Sequence, residues 1–214
     1  GYALQHTLRA AGDLNGDGYG DVLASDEARG AAFVIHGAPA FVGSLQTGTA
    51  ADDFIDARPN ATVDAGPGDD VVHVRGGGGG NIYTGSGRNQ VIVDAISSVQ
   101  ISYPGPIIEI YGGREADLYE VFSRGHVQLS IHDSSGDPNT LRLHGGSAWA
   151  RLTLRMGSVL IDLGPDSPQI HLQDVDFNDV LGGPRTVDTI DFDDGTRVDY
   201  AALISRGFDL VGSA

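Results

Sequence analysis

Oxygen-bearing side chains stand at positions 1, 3, 5 and 9 of the segment Asp13-Leu14-Asn15-Gly16-Asp17-Gly18-Tyr19-Gly20-Asp21, with Gly18 at position 6, where a sharp bend is needed. A hard divalent cation takes about six to eight oxygens. Asp13, Asn15, Asp17 and Asp21 by side chain, and Tyr19 by its carbonyl, therefore make a candidate calcium loop. The rival reading is a solvated Asp/Asn/Gly turn. An EF-hand is excluded because position 12 is Ala24 rather than Glu and no helical pattern flanks the loop.

A second constellation recurs further along. Short β-prone pairs follow Asp or Asn at Asp53-Phe54-Ile55, Asp70-Val71-Val72, Asn81-Ile82-Tyr83 and Asn89-Gln90-Val91, with Ala61-Thr62-Val63 as a degenerate copy. The steps between leading residues are 8, 9, 11 and 8, close to a nonapeptide period, and only a solenoid needs such a period.

The acids are of one kind. Of 29 acidic residues only Glu27, Glu109, Glu115 and Glu120 are Glu, so the formal charge of -16 sits on Asp, whose short stem suits tight turns and cation ligation. All 13 basic residues are Arg, with no basic patch to suggest nucleic acid or an anionic membrane. No Cys is present, which removes disulfides and zinc-thiolate sites, and no apolar run approaches the roughly 20 residues of a membrane-spanning helix. Gly1 does not open a signal peptide, so the chain reads as part of a longer protein or as a mature form.

The elements that must position these residues are strands. Residues 1–45 hold the Asp13 loop and the apolar run Ala31-Ala32-Phe33-Val34-Ile35; residues 46–95 hold the repeat. Residues 96–214 alternate in short segments, among them 107–110, 127–131, 141–143, 152–154 and 159–163, separated by Gly, Ser, Asp or Pro. Tyr200 to Ser205 is the one helical candidate, and Asp194-Gly195-Thr196 reads as a hairpin turn. The expected fold is all-β: a right-handed parallel β-roll or β-helix solenoid with cation-binding turns, running into a β-rich C-terminal segment.

Three resemblances follow from these residues. Gly12 to Ala24 with Ala31 to Gly37 resembles one FG-GAP repeat of the integrin α-chain propeller, whose Asp-rich loop binds calcium at the positions of Asp13, Asn15, Asp17 and Asp21. One such unit cannot close a propeller, so it is a last blade or a cap. Ala65-Gly66-Pro67-Gly68-Asp69-Asp70-Val71-Val72-His73 resembles the RTX nonapeptide. By that resemblance Asp70 bridges ions between successive turns, Asp53 does the same, and turn carbonyls such as those of Gly66 and Gly68 supply further oxygens. Asn81 and Asn89 stand where the family has Asp; they keep the turn without its charge, as weak or empty sites or as an Asn ladder along the roll. Residues 117–122, 131–143 and 187–196 resemble the haemolysin-type calcium-binding related region, which makes Asp133 and Asp137 candidate ligands, against the alternative of ordinary Asx turns.

Rival chemistries have little to stand on. Seven His are scattered with no His-Glu-x-x-His, no Gly-x-Ser-x-Gly elbow occurs, and without Lys there is no phosphate loop. Carboxylates that hold calcium are stabilised as anions and make poor general acids. Self-cleavage at Asp137-Pro138 lacks the surrounding module, and Trp149 reads as a core or rim aromatic before a sugar platform. The resemblances imply a secreted, calcium-folded C-terminal module of a bacterial RTX protein, and the net charge of -16 to be offset leads to an expectation of at least three bound calcium ions. They also imply export by type I secretion machinery through a tail that includes Phe208-Asp209-Leu210-Val211. The alternatives are a calcium-dependent adhesin module that binds a cell-surface glycan, and an accessory module of a β-helix polysaccharide lyase or epimerase.

Overall fold

The computed structural model describes residues 6–12, 14, 21–26, 31–35, 45–75, 79–94, 107–125, 127–145, 151–155, 158–164, 167–176 and 178–207. Contacts divide the chain into two units, Gly1–Ser44 and Leu45–Ala214. In the first, β1 (His6–Gly12), β2 (Asp21–Asp26) and β3 (Ala31–Ile35) pair antiparallel in that order. The register slips between Ala10 and Gly12, where Gly12 adopts φ 73°.

The second unit carries two large sheets. One is built from β4 (Leu45–Thr47), β6 (Thr62–Asp64), β8 (Gly80–Tyr83), β10 (Ile107–Tyr111), β12 (Gln128–His132), β14 (Arg151–Arg155), β15 (Ser158–Asp162) and β16 (Gln169–Leu172). The other is built from β5 (Phe54–Ala57), β7 (Val71–Arg75), β9 (Gln90–Asp94), β11 (Leu118–Phe122), β13 (Thr140–His144), β17 (Thr189–Phe192) and β18 (Arg197–Asp199). From β4 to β13 consecutive strands alternate between the sheets, so each strand's parallel neighbour lies two strands away in sequence: β6 on β8, β8 on β10, β7 on β9, β9 on β11.

Side-chain alternation explains the pairing. β9 turns Val91 and Val93 inward and leaves Gln90, Ile92 and Asp94 half-buried; β13 does the same with Leu141 and Leu143. A one-residue slip would put each apolar set on the solvent side, so the register is strongly held. The inward residues of both sheets form one core cluster, with Val63, Val72, Leu129, Ile131, Leu141, Leu143, Ile170 and Leu172 wholly buried. Each such side chain contributes about 1.5–3 kcal/mol by leaving water.

The sheets continue from β8 to β10 and from β9 to β11 without a change of direction. Direction changes only near the C-terminal end. There β15 runs antiparallel to both β14 and β16, and β17 and β18 form a hairpin closed at Gly195, whose N–H donates to the Phe192 carbonyl at 3.0 Å. Both sheets are therefore mixed. The helix α1 (Tyr200–Ser205) follows, its N-terminus capped by the Asp199 carboxylate accepting from Ala202 N–H at 2.6 Å, with Tyr200, Leu203 and Ile204 buried. The chain is strand-rich, and its two large sheets are mostly parallel. Among the described residues no helix is long and apolar enough to cross a membrane.

Candidate functional site

The connections leading from one sheet to the other at residues 48–53, 65–70, 84–89, 112–117 and 133–139 stack along one edge of the second unit. Backbone bonds tie them to the strands of neighbouring turns: Gly48 N–H to Asp64 carbonyl at 2.8 Å, Ala65 to Tyr83 at 2.9 Å, Thr84 to Tyr111 at 3.0 Å and Gly112 to His132 at 2.8 Å. The turns lie too close for side chains at certain points. A Cβ on Gly66 would stand 2.5 Å from the Thr49 carbonyl oxygen and one on Gly68 would stand 2.7 Å from that of Ala51. A Cβ on Gly85 would overlap the Gly66 carbonyl, and one on Gly113 that of Gly85.

The last residue of each turn forms a side-chain ladder. Oδ1 of Asp70 accepts the Asp53 N–H at 2.8 Å, Oδ1 of Asn89 accepts that of Asp70 at 2.9 Å, Oδ1 of Asp117 that of Asn89 at 2.9 Å, and Oδ1 of Asn139 that of Asp117 at 2.8 Å. A second ladder runs beside it, with Asp69 N–H on Asp52 at 2.9 Å, Arg88 N–H on Asp69 at 2.8 Å and Glu115 N–H on Asp137 at 2.9 Å. These bonds satisfy turn donors that no strand ladder reaches.

Within this stack Asp70 is exceptional. It is 1 % exposed, and its Oδ2 is buried and accepts no hydrogen bond. Burial, reinforced by the charges of Asp53, Asp52 and Asp69, raises its carboxyl above the ordinary value, against the lowering effect of the Asp53 N–H. Asp53, half-buried, places its own Oδ2 on the Thr49 N–H at 2.5 Å and hydroxyl at 2.9 Å. Two neighbouring turns thus carry four carboxylates, Asp52, Asp53, Asp69 and Asp70, beside the close-packed carbonyls of Thr49, Ala51, Gly66 and Gly68. Among the described residues no three His, Cys, Asp or Glu side chains are grouped to hold a metal by themselves, so an ion here would draw on carbonyls as well.

Two clusters were not foreseen. Asp117, 3 % exposed, sits at the ladder position of Asp70, and its Oδ2 faces the Tyr119 hydroxyl at 3.3 Å, the Thr84 hydroxyl at 3.4 Å and the Gly113 N–H at 3.4 Å. The Tyr119 hydroxyl lies closer to Asp133, at 2.8 Å, and one hydrogen cannot serve both. On the outer face of the seven-stranded sheet, Glu120, Arg142, Asp191 and Arg197 form a cross-strand charge row, and His144 stands 2.7 Å from both Glu120 and Asp193. Strand alternation would place Glu120, Arg142 and Asp191 on one face, but their lateral alignment comes only from pairing.

Asp133 and Asp137 share the turn 133–139 in different settings. Asp133 is 2 % exposed with both oxygens engaged, by the Ser135 N–H and hydroxyl at 3.1 and 2.9 Å and by Tyr119, whereas half-buried Asp137 accepts from Glu115. Asn81 and Asn89 do not share a ladder: Asn81 lies within β8, between Thr62 and Glu109 of the flanking strands, while Asn89 belongs to the turn stack. The reason is that strands alternate between two sheets, so successive repeats fall at opposite edges and equivalent turns recur after 17 and 19 residues. Asp13, Asn15, Asp17, Tyr19, Trp149 and the tail from Phe208 lie outside the described residues; Asp21 opens β2.

The Asp117 cluster makes the stability of the metal-free protein depend on pH. Burial, with the Asp133 charge, pushes Asp117 from 3.8 to about 6, against hydrogen bonds from Asn89, Gly113 and Tyr119. The folded carboxyl holds its proton more tightly than the unfolded one, so its contribution is complete below the ordinary value and lost as pH rises through about 6. Glu120 behaves oppositely. Burial alone would raise it, but His144, Gln90 and Arg142 hold it below its ordinary value, and its contribution is lost only as pH falls through that depressed value. In metal-free buffer the melting temperature should rise on acidification from pH 7 toward 5, and Asp117→Asn should remove about 1.3 kcal/mol of that gain over the window. Parallel melting curves for the two proteins would refute this.

No family model matches the sequence, and no curated protein matches it.

Proposed function

We propose that residues 45–144 wind as a right-handed parallel β-roll whose Gly-rich edge binds calcium, and that the chain is a calcium-binding, calcium-folded module of a secreted RTX-type protein. The observation that carries this reading is the Asp70 Oδ2 atom: buried, without a donor, and flanked by three more carboxylates. An unpaired buried carboxylate oxygen is costly in a folded protein unless a cation or a proton satisfies it. Alternation of parallel strands between two sheets is the path of a roll, and parallel crossovers are overwhelmingly right-handed. Asp53, Gly66, Gly68 and Asp70 are the proposed ligand set in this unit, by side chain for the acids and by carbonyl for the glycines. The loop of Asp13, Asn15, Asp17, Tyr19 and Asp21 is the proposed set in the first unit. Empty sites in a low-calcium cytosol and filled sites outside it would let folding follow export through a type I machinery.

Equilibrium dialysis of the full chain tests the reading. Calcium should bind with dissociation constants of about 0.1–1 mM, and magnesium, which demands octahedral geometry, should compete poorly. Asp70→Ala should remove one ion, and Asp13→Ala with Asp17→Ala a different one. An unchanged ion count in Asp70→Ala would reject the site.

A further inference from the structure

We infer that the side-chain amides of Asn89 and Asn139 take the place of a cation in their turns, so that exchanging either for aspartate converts a self-satisfied turn into a calcium site. The inference rests on the calcium reading of Asp70 and deepens it, because it says which turns of the stack need an ion and which carry their own substitute.

Four of the five ladder residues do one job identically, and the five differ in a second. Each of Asp70, Asn89, Asp117 and Asn139 uses Oδ1 to accept the N–H of the preceding ladder residue. That bond also settles the orientation of the two amides, since a flipped Asn89 would point its NH2 at the Asp70 N–H, donor against donor. What remains is the other terminal atom. In Asp53 it is taken by Thr49, and in Asp117 by the Thr84 hydroxyl and the Gly113 N–H. In Asn89 it is Nδ2, which donates to the Gly87 carbonyl at 3.0 Å; in Asn139 it is Nδ2, which donates to the Thr186 carbonyl at 3.1 Å. Only Asp70, of these five, has a buried terminal atom with no hydrogen-bond partner.

The buried Asn89 amide therefore engages a carbonyl of its own turn, the service that a calcium ion coordinated by turn carbonyls would otherwise perform, and the buried Asn139 amide does the same for the Thr186 carbonyl packed beside its turn. Both residues are buried, at 2 % and 1 % exposure, so neither can exchange this donor for water. Aspartate keeps the Oδ1 bond and removes the donor. In Asn89→Asp a second carboxylate oxygen would then face the Gly87 carbonyl, with Asp70 and Asp117 one turn away on either side. Two acceptors facing each other next to further negative charge repel without a cation and coordinate one when it is supplied.

The test uses the full chain as wild type, Asn89→Asp and Asn139→Asp. Equilibrium dialysis counts calcium, and thermal melting is followed in chelator and in 10 mM calcium, with 10 mM magnesium as the ionic-strength control. The expected result is one more calcium than wild type in each variant, a lower melting temperature than wild type in chelator, and a larger rise with calcium than wild type shows. A variant that folds only with calcium is the extreme of the same result and supports the inference. An unchanged ion count, or melting in chelator no lower than wild type, overturns it. If Asn89→Asp folds under neither condition, Asn139→Asp decides by the same two readings. The two levels separate cleanly. A gain of an ion in Asn89→Asp with none lost in Asp70→Ala sinks the Asp70 reading and keeps this one; a loss in Asp70→Ala with no gain in Asn89→Asp does the reverse.

Discussion

Gly85→Ala is expected to lower the melting temperature of the protein by about 10 °C, from a destabilisation of about 4 kcal/mol for one added methyl group. Two effects act together. Gly85 adopts φ 80°, a left-handed conformation that costs an alanine about 1 kcal/mol. Its Cβ would also overlap the carbonyl oxygen and carbon of Gly66 in the neighbouring turn, and backbone cannot step aside as a flexible side chain can. To make room the two turns must separate. That would strain the Gly68 N–H bond to the Ser86 carbonyl at 3.0 Å and the ladder bond from Asp70 to Asn89 at 2.9 Å. Gly195→Ala is the control: Gly195 has φ 84° with nothing within 4 Å of the added carbon, so it should show the conformational cost alone, about 2–4 °C. Equal shifts for the two variants in scanning calorimetry would show that close stacking of the turns is not what the glycine supplies.

Calcium should raise the melting temperature, and chelator should lower it. With a dissociation constant of about 0.1–1 mM, 10 mM calcium adds about 1.4–2.7 kcal/mol per site, or about 3–10 °C for a chain of this size. The source is local. In chelator the Asp70 carboxylate is buried with one oxygen unpaired near three other acids, and its raised titration point means that the metal-free fold loses stability as pH rises through it. A bound ion reverses that sign by favouring the carboxylate. Asp70→Asn should therefore melt no lower than wild type in chelator at pH 7 and should lose the calcium-induced rise assigned to this site, while keeping the Oδ1 bond to Asp53. Circular dichroism melts in chelator and in calcium give the answer. Identical curves for wild type would sink the calcium reading, and a full calcium response in Asp70→Asn would move it elsewhere in the chain.

Much of the strand pattern was legible in the residues themselves, because alternation of apolar and polar side chains is a local property. The segments at 31–35, 107–110, 141–143 and 152–154 are strands, Tyr200 to Ser205 is a helix with an Asp cap, and Asp194-Gly195-Thr196 lies in a hairpin turn. Asp53 and Asp70 could be grouped from their shared turn composition, and they are neighbours in one ladder. Asn81 and Asn89 could not be separated that way, since an 8-residue step looks the same whether or not the two residues fall at the same edge. Only the alternation of strands between two sheets sends Asn81 into β8 and Asn89 into the turn stack.

Asp117 and Asn139 escaped the repeat for a related reason. Their turns follow the preceding ones after 28 and 22 residues, since the connections at the opposite edge vary in length, and a period in sequence is lost while the stacking in space continues. Residue type by itself determined that these turns would be tight, acidic and rich in glycine, because only short oxygen-bearing side chains and missing Cβ atoms suit such bends. Which carboxylate oxygen would be left buried without a donor was decided by the tertiary structure. Thr49 reaches Asp53, and Gly113 and Tyr119 reach Asp117, from within the same turn or the strand beside it, but Thr84 reaches Asp117 only after segments 33 residues apart are laid side by side, and it is the packing of neighbouring turns that buries the second oxygen of Asp70 with no donor.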